Sequence, residues 1–182
     1  MIKLHLGCGQ KKIKGYYNID IQKFPNVDIV ADISNLPFKK NSIDLIYSCA
    51  NIEHFSRHQW KDVLSYWYGL LKIDGWLYLS TADFSAACSE YLFGGNDIEK
   101  LLGLIVGGQK DFTDRHGMIF DFRLLTDHLH KLGFRGISRY DWRDFEPFQN
   151  DQYDDYSRSY LPHLKFDTGR LMMLNIKARK DK

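Results

Sequence analysis

The chain has few cysteines, almost no excess charge and no long apolar run, and each absence excludes a class of protein. Its three cysteines, Cys8, Cys49 and Cys88, are odd in number and lack metal-ligand spacing, which favours free thiols in a reducing compartment. The formal net charge is only +2, without a polybasic face, so we expect no nucleic-acid partner. No apolar run approaches the roughly 20 residues that span a bilayer. Met1 leads directly into a strand-like run, so we expect no signal peptide and a cytoplasmic protein.

The chain does contain enough apolar sequence for a folded domain. Of its 182 residues, 44% are hydrophobic and 15% aromatic, which is typical of a globular protein and not of a disordered one. This length fits one domain with a substantial core. No internal repeat, low-complexity segment or linker is visible. We therefore expect residues 1–182 to form a single domain.

The most informative motif is the tripeptide Gly7-Cys8-Gly9, which follows the strand-like run Ile2–Leu6. Two glycines let the backbone turn sharply and approach a ligand with no Cβ in the way. A second strand-like run, Tyr16–Asp20, ends in a carboxylate. A glycine turn after the first strand and an acid at the end of the second form the pattern of an α/β nucleotide site, in which the acid binds ribose hydroxyls.

Further strands and helices follow along the chain. The helix Phe122–Leu132 has Asp121 as a plausible N-cap and Gly133 as a plausible stop. Leu70–Ser80 is predicted to supply a turn and the strand that follows it. The other predicted strands are Val27–Asp32, Ser42–Ser48, Phe134–Asp141 and Leu171–Ala178, and the other predicted helices are Arg57–Lys72 and Asp97–Ile105.

Five segments in order resemble the class I S-adenosylmethionine-dependent methyltransferases. The resemblance is closest to a compact, type 11-like branch often associated with bacterial surface-polysaccharide pathways. The matching segments are the LGCG turn, the aspartate that ends GYYNID, DIVADISNLPF, IDLIYS with IEHF, and LLKIDGWLYLS. The resemblance implies an α/β, Rossmann-like, mostly parallel seven-stranded sheet in the order 3-2-1-4-5-7-6, with helices on its faces and strand seven antiparallel. It also implies S-adenosyl-L-methionine as the cofactor.

The resemblance further implies which residues hold this cofactor. Gly7 and Gly9 would bring the backbone against its methionine and ribose portions, and Asp20 would accept hydrogen bonds from both ribose hydroxyls. Asp32 with Ile33 would bind the adenine edge. Either acid could instead serve only as a turn former at the end of a strand. The predicted cofactor-binding residues are Leu6, Gly7, Cys8, Gly9, Asp20, Ile21, Asp32, Ile33, Ser48, Cys49 and Ala50.

The chain departs from the family pattern near its N-terminus. His5 stands where the family commonly carries an acid, and Lys11 replaces the third glycine of a GxGxG motif. Residues 10–15 are too few for the helix that usually follows the glycine turn, because a parallel crossover normally takes a dozen or more residues. We therefore expect a reduced first helix and a thinly covered sheet face, which a partner subunit of a homodimer could cover.

Two long insertions, at about residues 82–121 and 143–170, begin at the edge of the sheet where the cofactor is expected. We expect them to form the walls of a substrate pocket. An alcohol acceptor needs a base for its proton, and the candidates are His116, which we favour, Asp83 and His54; His116 could instead only hold its loop. Tyrosines and aspartates of the second insertion could face a sugar-like acceptor, or form a solvated loop: Asp151, Tyr153, Asp154, Asp155, Tyr156 and Tyr160.

The predicted function is therefore O-methylation of a small molecule or glycan precursor, with no metal and no nucleic-acid partner. A nicotinamide-dependent oxidoreductase fits poorly. In its GxGxxG motif the third glycine would fall on Lys12, and the spacing from the glycine turn to Asp20 is much shorter than the roughly 20 residues expected. A non-catalytic, cofactor-binding subunit or regulator of a partner enzyme is the alternative. The methyl acceptor and the oligomeric state do not follow from the sequence.

Overall fold

The computed structural model describes residues 1–111, 113–150 and 153–181, and in these ranges the chain builds one seven-stranded sheet and one small hairpin. The strands are β1 (Lys3–Leu6), β2 (Tyr17–Asp20), β3 (Ile29–Val30), β4 (Ile43–Cys49), β5 (Leu71–Ala82), β6 (Phe134–Arg139), β7 (Tyr160–Leu161), β8 (Arg170–Leu171) and β9 (Met173–Lys180). The main sheet has the order β3-β2-β1-β4-β5-β9-β6, with β9 antiparallel to both of its neighbours. This confirms the predicted order, since β7 and β8 pair only with each other.

The helices of the structure pack against the sheet or lie in one of the two insertions. They are α1 (Trp60–Leu70), α2 (Phe84–Phe93), α3 (Ile98–Val106), α4 (Phe122–Leu132) and α5 (Glu146–Asn150). The predicted bounds of α4 are confirmed: the Asp121 carboxylate accepts a hydrogen bond from the Leu124 amide, and Gly133 ends the helix with φ +103°. In the described part of the chain, no helix has the length and apolarity needed to cross a membrane.

The third strand is much shorter than predicted, and one helix was not predicted. The third strand was expected over Val27–Asp32, but only Ile29 and Val30 pair with β2, because this strand lies at the edge of the sheet. The second helix of the structure, α2, escaped prediction because its sequence FSAACSEYLF has apolar residues on every side and no 3.6-residue period.

The two faces of the sheet are covered by different parts of the chain. Leu4, Leu6 and Ile46 point into the main core beneath α1 and α4. Side chains alternate between faces along a strand, so His5 and Tyr47 point to the opposite face. An aromatic layer, hereafter the aromatic cover, buries that face; it comprises Ile13, Tyr16, Tyr47, Cys49, Tyr140, Phe145 and Tyr153.

The aromatic cover corrects two expectations about the short N-terminal connection. Residues 10–15 form no helix, as predicted, but the face is not left for a partner subunit, because Phe145 and Tyr153 of the second insertion fill the space. Phe145 stacks on Tyr47 with ring centroids 4.4 Å apart. This part of the second insertion is therefore core, and Tyr153 is not a pocket wall. Asp151 lies outside the described residues.

A buried polar network explains the histidine in β1. His5 Nδ1 lies 3.0 Å from Asn18 Oδ1, and its Nε2 lies 3.2 Å from the Tyr153 hydroxyl. That hydroxyl donates to Asp155 at 2.9 Å. Burial lowers the pKa of His5, although the Asn18 hydrogen bond opposes the shift. His5 therefore fastens the second insertion to the sheet, on the face opposite the main core.

Candidate functional site

Six of the predicted cofactor-binding residues line one cavity of about 650 Å³, hereafter the glycine-turn cavity. It lies where the parallel strands β1, β2 and β4 end, which is the edge at which open α/β sheets bind ligands. Its volume is in the range of small-molecule and cofactor sites. The six predicted residues in its wall are Gly7, Gly9, Asp20, Ile21, Asp32 and Ile33.

The glycine turn is held in a conformation that favours glycine. Gly7 and Gly9 have φ values of +62° and +54°, which cost other residues about 1–2 kcal/mol. A Cβ on Gly7 would collide with the side-chain amide of Asn51. This amide donates to Leu6 O at 3.0 Å and Cys49 O at 2.7 Å, so it joins the ends of β1 and β4. Asn51 also lines the cavity and was not predicted from the sequence.

A Gly7→Ala variant is therefore expected to lose about 2–3 kcal/mol of unfolding free energy, the sum of left-handed backbone strain and disturbed Asn51 hydrogen bonds. Gly15→Ala is the matched control, because Gly15 also has a positive φ, +80°, but its Cβ would meet open space. Urea denaturation of both variants measures the difference. Equal losses of unfolding free energy in the two variants would show that the contact with Asn51 adds nothing to the cost of Gly7→Ala.

Asp20 lies where the sequence placed it, at the end of β2 in the wall of the cavity. Its Oδ2 accepts a hydrogen bond from the Gly9 amide at 2.8 Å, and its Oδ1 accepts one from the Gln22 amide at 2.8 Å. The carboxylate thus fixes the glycine turn to β2. A carboxylate has about four lone-pair sites, so two remain for donors in the cavity. This arrangement fits a ligand that carries a pair of hydroxyls.

Asp32 and Ile33 form the wall beyond Asp20. Asp32 Oδ1 accepts hydrogen bonds from the amide and hydroxyl of Ser34, at 2.8 and 2.7 Å. The Trp67 indole donates to Ile33 O at 2.8 Å and anchors this segment to α1. Asp32 therefore does act as a turn former, and its carboxylate also lines the cavity.

The other predicted cofactor residues lie behind the cavity wall or beside it. Leu6, Cys8, Ser48 and Cys49 do not line the glycine-turn cavity, and all four side chains are buried. The Cys49 side chain packs in the aromatic cover. Burial, and next the Asp20 carboxylate, raise the pKa of the Cys8 thiol to about 12, so Cys8 is not a nucleophile at neutral pH. Backbone contacts from these residues to a cofactor stay a prediction.

A second cavity, of about 350 Å³, adjoins the first and is hereafter the histidine cavity. The two cavities share His54, Lys110, Asp114 and Tyr156 in their walls. Residues that line the histidine cavity but not the glycine-turn cavity include Ala50, Glu53, Leu104, His116, Ser159 and Met173. The first insertion contributes His116 and Asp114 to the cavity wall, as expected of a pocket wall, and the second insertion contributes Tyr156.

Two histidines meet in the histidine cavity, with ring centroids 5.1 Å apart. His54 Nδ1 lies 3.0 Å from Arg115 O, and His116 Nδ1 lies 3.1 Å from Leu104 O. Because a carbonyl can only accept, each Nδ1 carries a proton, so the neutral form of either ring has its lone pair on Nε2. Burial is the main cause that lowers the pKa of His116; the nearby Glu53 carboxylate opposes this shift and His54 adds to it.

Asp83, the third predicted base, is not brought to either cavity. Its Oδ1 accepts a hydrogen bond from the Ser85 amide at 3.0 Å as the N-cap of α2. Its Oδ2 accepts from Arg139 at 3.0 Å. Asp83 thus fixes the start of α2 and pairs it with β6. This structural role disagrees with the prediction that Asp83 acts as a base. Within the described ranges, no group of three or more His, Cys, Asp or Glu residues could hold a metal ion.

Comparisons with known proteins agree with this geometry. A family model described as a methyltransferase domain matches residues 4–79, which contain the glycine turn, Asp20, Asp32 and the IEHF segment. No curated protein sequence matches the chain.

Solved structures share the fold along the whole chain. A Burkholderia thailandensis 1,6-didemethyltoxoflavin-N1-methyltransferase, solved with its acceptor and S-adenosylhomocysteine, is 15% identical with a TM-score of 0.57, over 100% of this chain and 71% of that one. A SAM-dependent methyltransferase from Thermotoga maritima is 18% identical with a TM-score of 0.59, over 99% and 82%. One from Archaeoglobus fulgidus is 15% identical with a TM-score of 0.58, over 98% and 85%.

Proposed function

We propose that this chain, whose residues 4–79 match a methyltransferase-domain family model, is a class I S-adenosylmethionine-dependent methyltransferase that methylates a hydroxyl group of a small molecule or glycan precursor bound in the histidine cavity. The observation that carries the proposal is the shared wall of the two cavities, where His54 and Tyr156 lie in both. We also propose that residues 1–182 form a single domain, in which the first insertion supplies His116 and the second mainly covers the sheet.

The residues of the glycine-turn cavity suit the cofactor. Gly7 and Gly9 leave room for it against the backbone, Asp20 has lone pairs for its ribose hydroxyls, and Asp32 with Ile33 lies where its adenine is expected. When bound, S-adenosylmethionine would supply an electrophilic methyl group, and the electron pair of the broken carbon–sulfur bond would stay on the sulfur of S-adenosylhomocysteine.

The chain then has two tasks toward the acceptor. The walls of the histidine cavity hold the hydroxyl next to the glycine-turn cavity, so that transfer gains from proximity and orientation. His116 Nε2 takes the hydroxyl proton as the new carbon–oxygen bond forms. The lone pair needed for this is free because Nδ1–H is held by Leu104 O.

Titration calorimetry with S-adenosylhomocysteine tests the cofactor site. We expect binding by the wild type and about 10- to 150-fold weaker binding by Asp20→Ala, since hydrogen bonds to a charged group contribute about 1.5–3 kcal/mol. Asp97→Ala is the matched control: Asp97 also accepts a backbone hydrogen bond, as the N-cap of α3, but lines neither cavity. Absence of binding by the folded wild type would contradict the proposal.

The reaction itself is tested by incubating the wild type with labelled S-adenosylmethionine and a panel of sugars and nucleotide sugars. Mass spectrometry of the product locates the methyl group on oxygen, as proposed, or on nitrogen or carbon, which would contradict O-methylation. Binding of S-adenosylhomocysteine without transfer to any acceptor would favour the alternative of a cofactor-binding subunit.

A further inference from the structure

We propose that the acceptor carries a protonated amino group beside its reacting hydroxyl, and that Glu53 binds this amino group. The inference rests on the proposed function and narrows its acceptor class to amine-bearing polyols such as amino sugars. Glu53 would then determine acceptor specificity, whereas His116 takes the proton.

The first observation is a buried carboxylate without a partner. Glu53 is 1% exposed and lines the histidine cavity, and its Oε2 has no hydrogen-bond partner among the described residues. Its backbone carbonyl is fixed, because it accepts from the amides of Gly117 at 2.8 Å and Met118 at 3.1 Å. Removing a carboxylate from water costs several kcal/mol unless donors or a cation compensate. A donor brought by a ligand would supply this compensation.

A second buried glutamate shows how the fold treats such a group elsewhere. Glu90 is 6% exposed, but its Oε1 accepts from Arg170 at 2.6 Å and its Oε2 from Asn96 at 2.8 Å. Both of its oxygens therefore have partners within the protein. Glu53 differs from Glu90 in lining a cavity that is large enough to hold an external partner.

The neighbouring groups in the histidine cavity also favour a cationic donor. His54 and His116 use their Nδ1–H groups on backbone carbonyls and keep acceptor nitrogens. Asp114 adds a second acid, opposed by the exposed Lys110, and the Tyr156 ring is suited to a cation–π contact. An ammonium group offers three donors and a positive charge, whereas a neutral hydroxyl offers one donor. The amino group therefore complements this wall better than a further hydroxyl.

Matched pairs of acceptors test the inference on the protein saturated with S-adenosylhomocysteine. The pairs are glucosamine and glucose, galactosamine and galactose, and ethanolamine and ethylene glycol. We expect calorimetry to show at least tenfold tighter binding of the amine in at least one pair. Glu53→Gln should abolish this preference and leave the affinity for S-adenosylhomocysteine unchanged. Glu90→Gln, the matched control, should keep the preference.

Two outcomes would overturn the inference: equal binding within every pair by the wild type, or an amine preference that persists in Glu53→Gln. The first comparison needs no variant, so it stands even if Glu53→Gln does not fold. Methyl transfer to a hydroxyl acceptor, together with equal binding within every pair, would refute the role of Glu53 while upholding the proposed function. Failure of the wild type to bind S-adenosylhomocysteine would refute the proposed function instead.

Discussion

Replacing His116 with alanine is expected to lower kcat/KM for methyl transfer by about 10²- to 10⁴-fold, the range that a general base contributes. His116 is the favoured base because it lines the histidine cavity and its Nδ1–H is held by Leu104 O, which leaves the lone pair of a neutral ring on Nε2. Single-turnover kinetics with labelled cofactor measure the loss. His58→Ala is the control, since His58 is exposed and lines neither cavity.

The pH profile separates a base from a residue that only holds its loop. His116 acts in its neutral form, and burial lowers its pKa below the ordinary 6.5. For the wild type, kcat/KM should therefore rise with pH through a value below 6.5 and then level off. In His116→Ala this rise should disappear, and added imidazole should restore part of the rate. An unchanged pH profile in His116→Ala would mean that another group takes the hydroxyl proton, and His54 would be the nearest candidate.

The sheet and its cofactor edge were predictable because they depend on local patterns. The sequence places an alternating run before the glycine turn, an acid at the end of β2 and a capped helix at α4, and each of these is decided by neighbours within a few residues. The ordered matches to a known family then supplied the strand order, which local patterns do not determine.

The aromatic cover and two residues of the cavity walls, Asn51 and Glu53, depend on distant contacts, and these were the parts that sequence reasoning missed. Nothing near Tyr153 shows that it bonds to His5, 148 positions away. Asn51 and Glu53 stand beside the predicted His54 in the segment after β4, and their position at the end of a parallel strand was the available indication. For Asp83, sequence reasoning predicted a base because this acid follows a strand at the cofactor edge of the sheet, but in the structure it caps α2.

The second insertion should be as important for stability as the core helices, because it takes the place of the missing first helix. Phe145 is 4% exposed, and its ring centroid lies 4.4 Å from that of Tyr47 and 4.9 Å from that of Tyr78. Phe145→Ala is expected to lower the free energy of unfolding by about 3–5 kcal/mol, the usual cost of removing a buried phenylalanine.

The matched control is Phe93→Ala, because Phe93 is 83% exposed at the end of α2 and its loss should change stability by less than about 0.5 kcal/mol. Urea denaturation followed by circular dichroism compares both variants with the wild type. A loss below about 1 kcal/mol for Phe145→Ala would mean that the insertion lies on the sheet without forming core. A large loss would explain how a chain of 182 residues omits a helix of its fold: it covers β1, β4 and β5 from its C-terminal half instead.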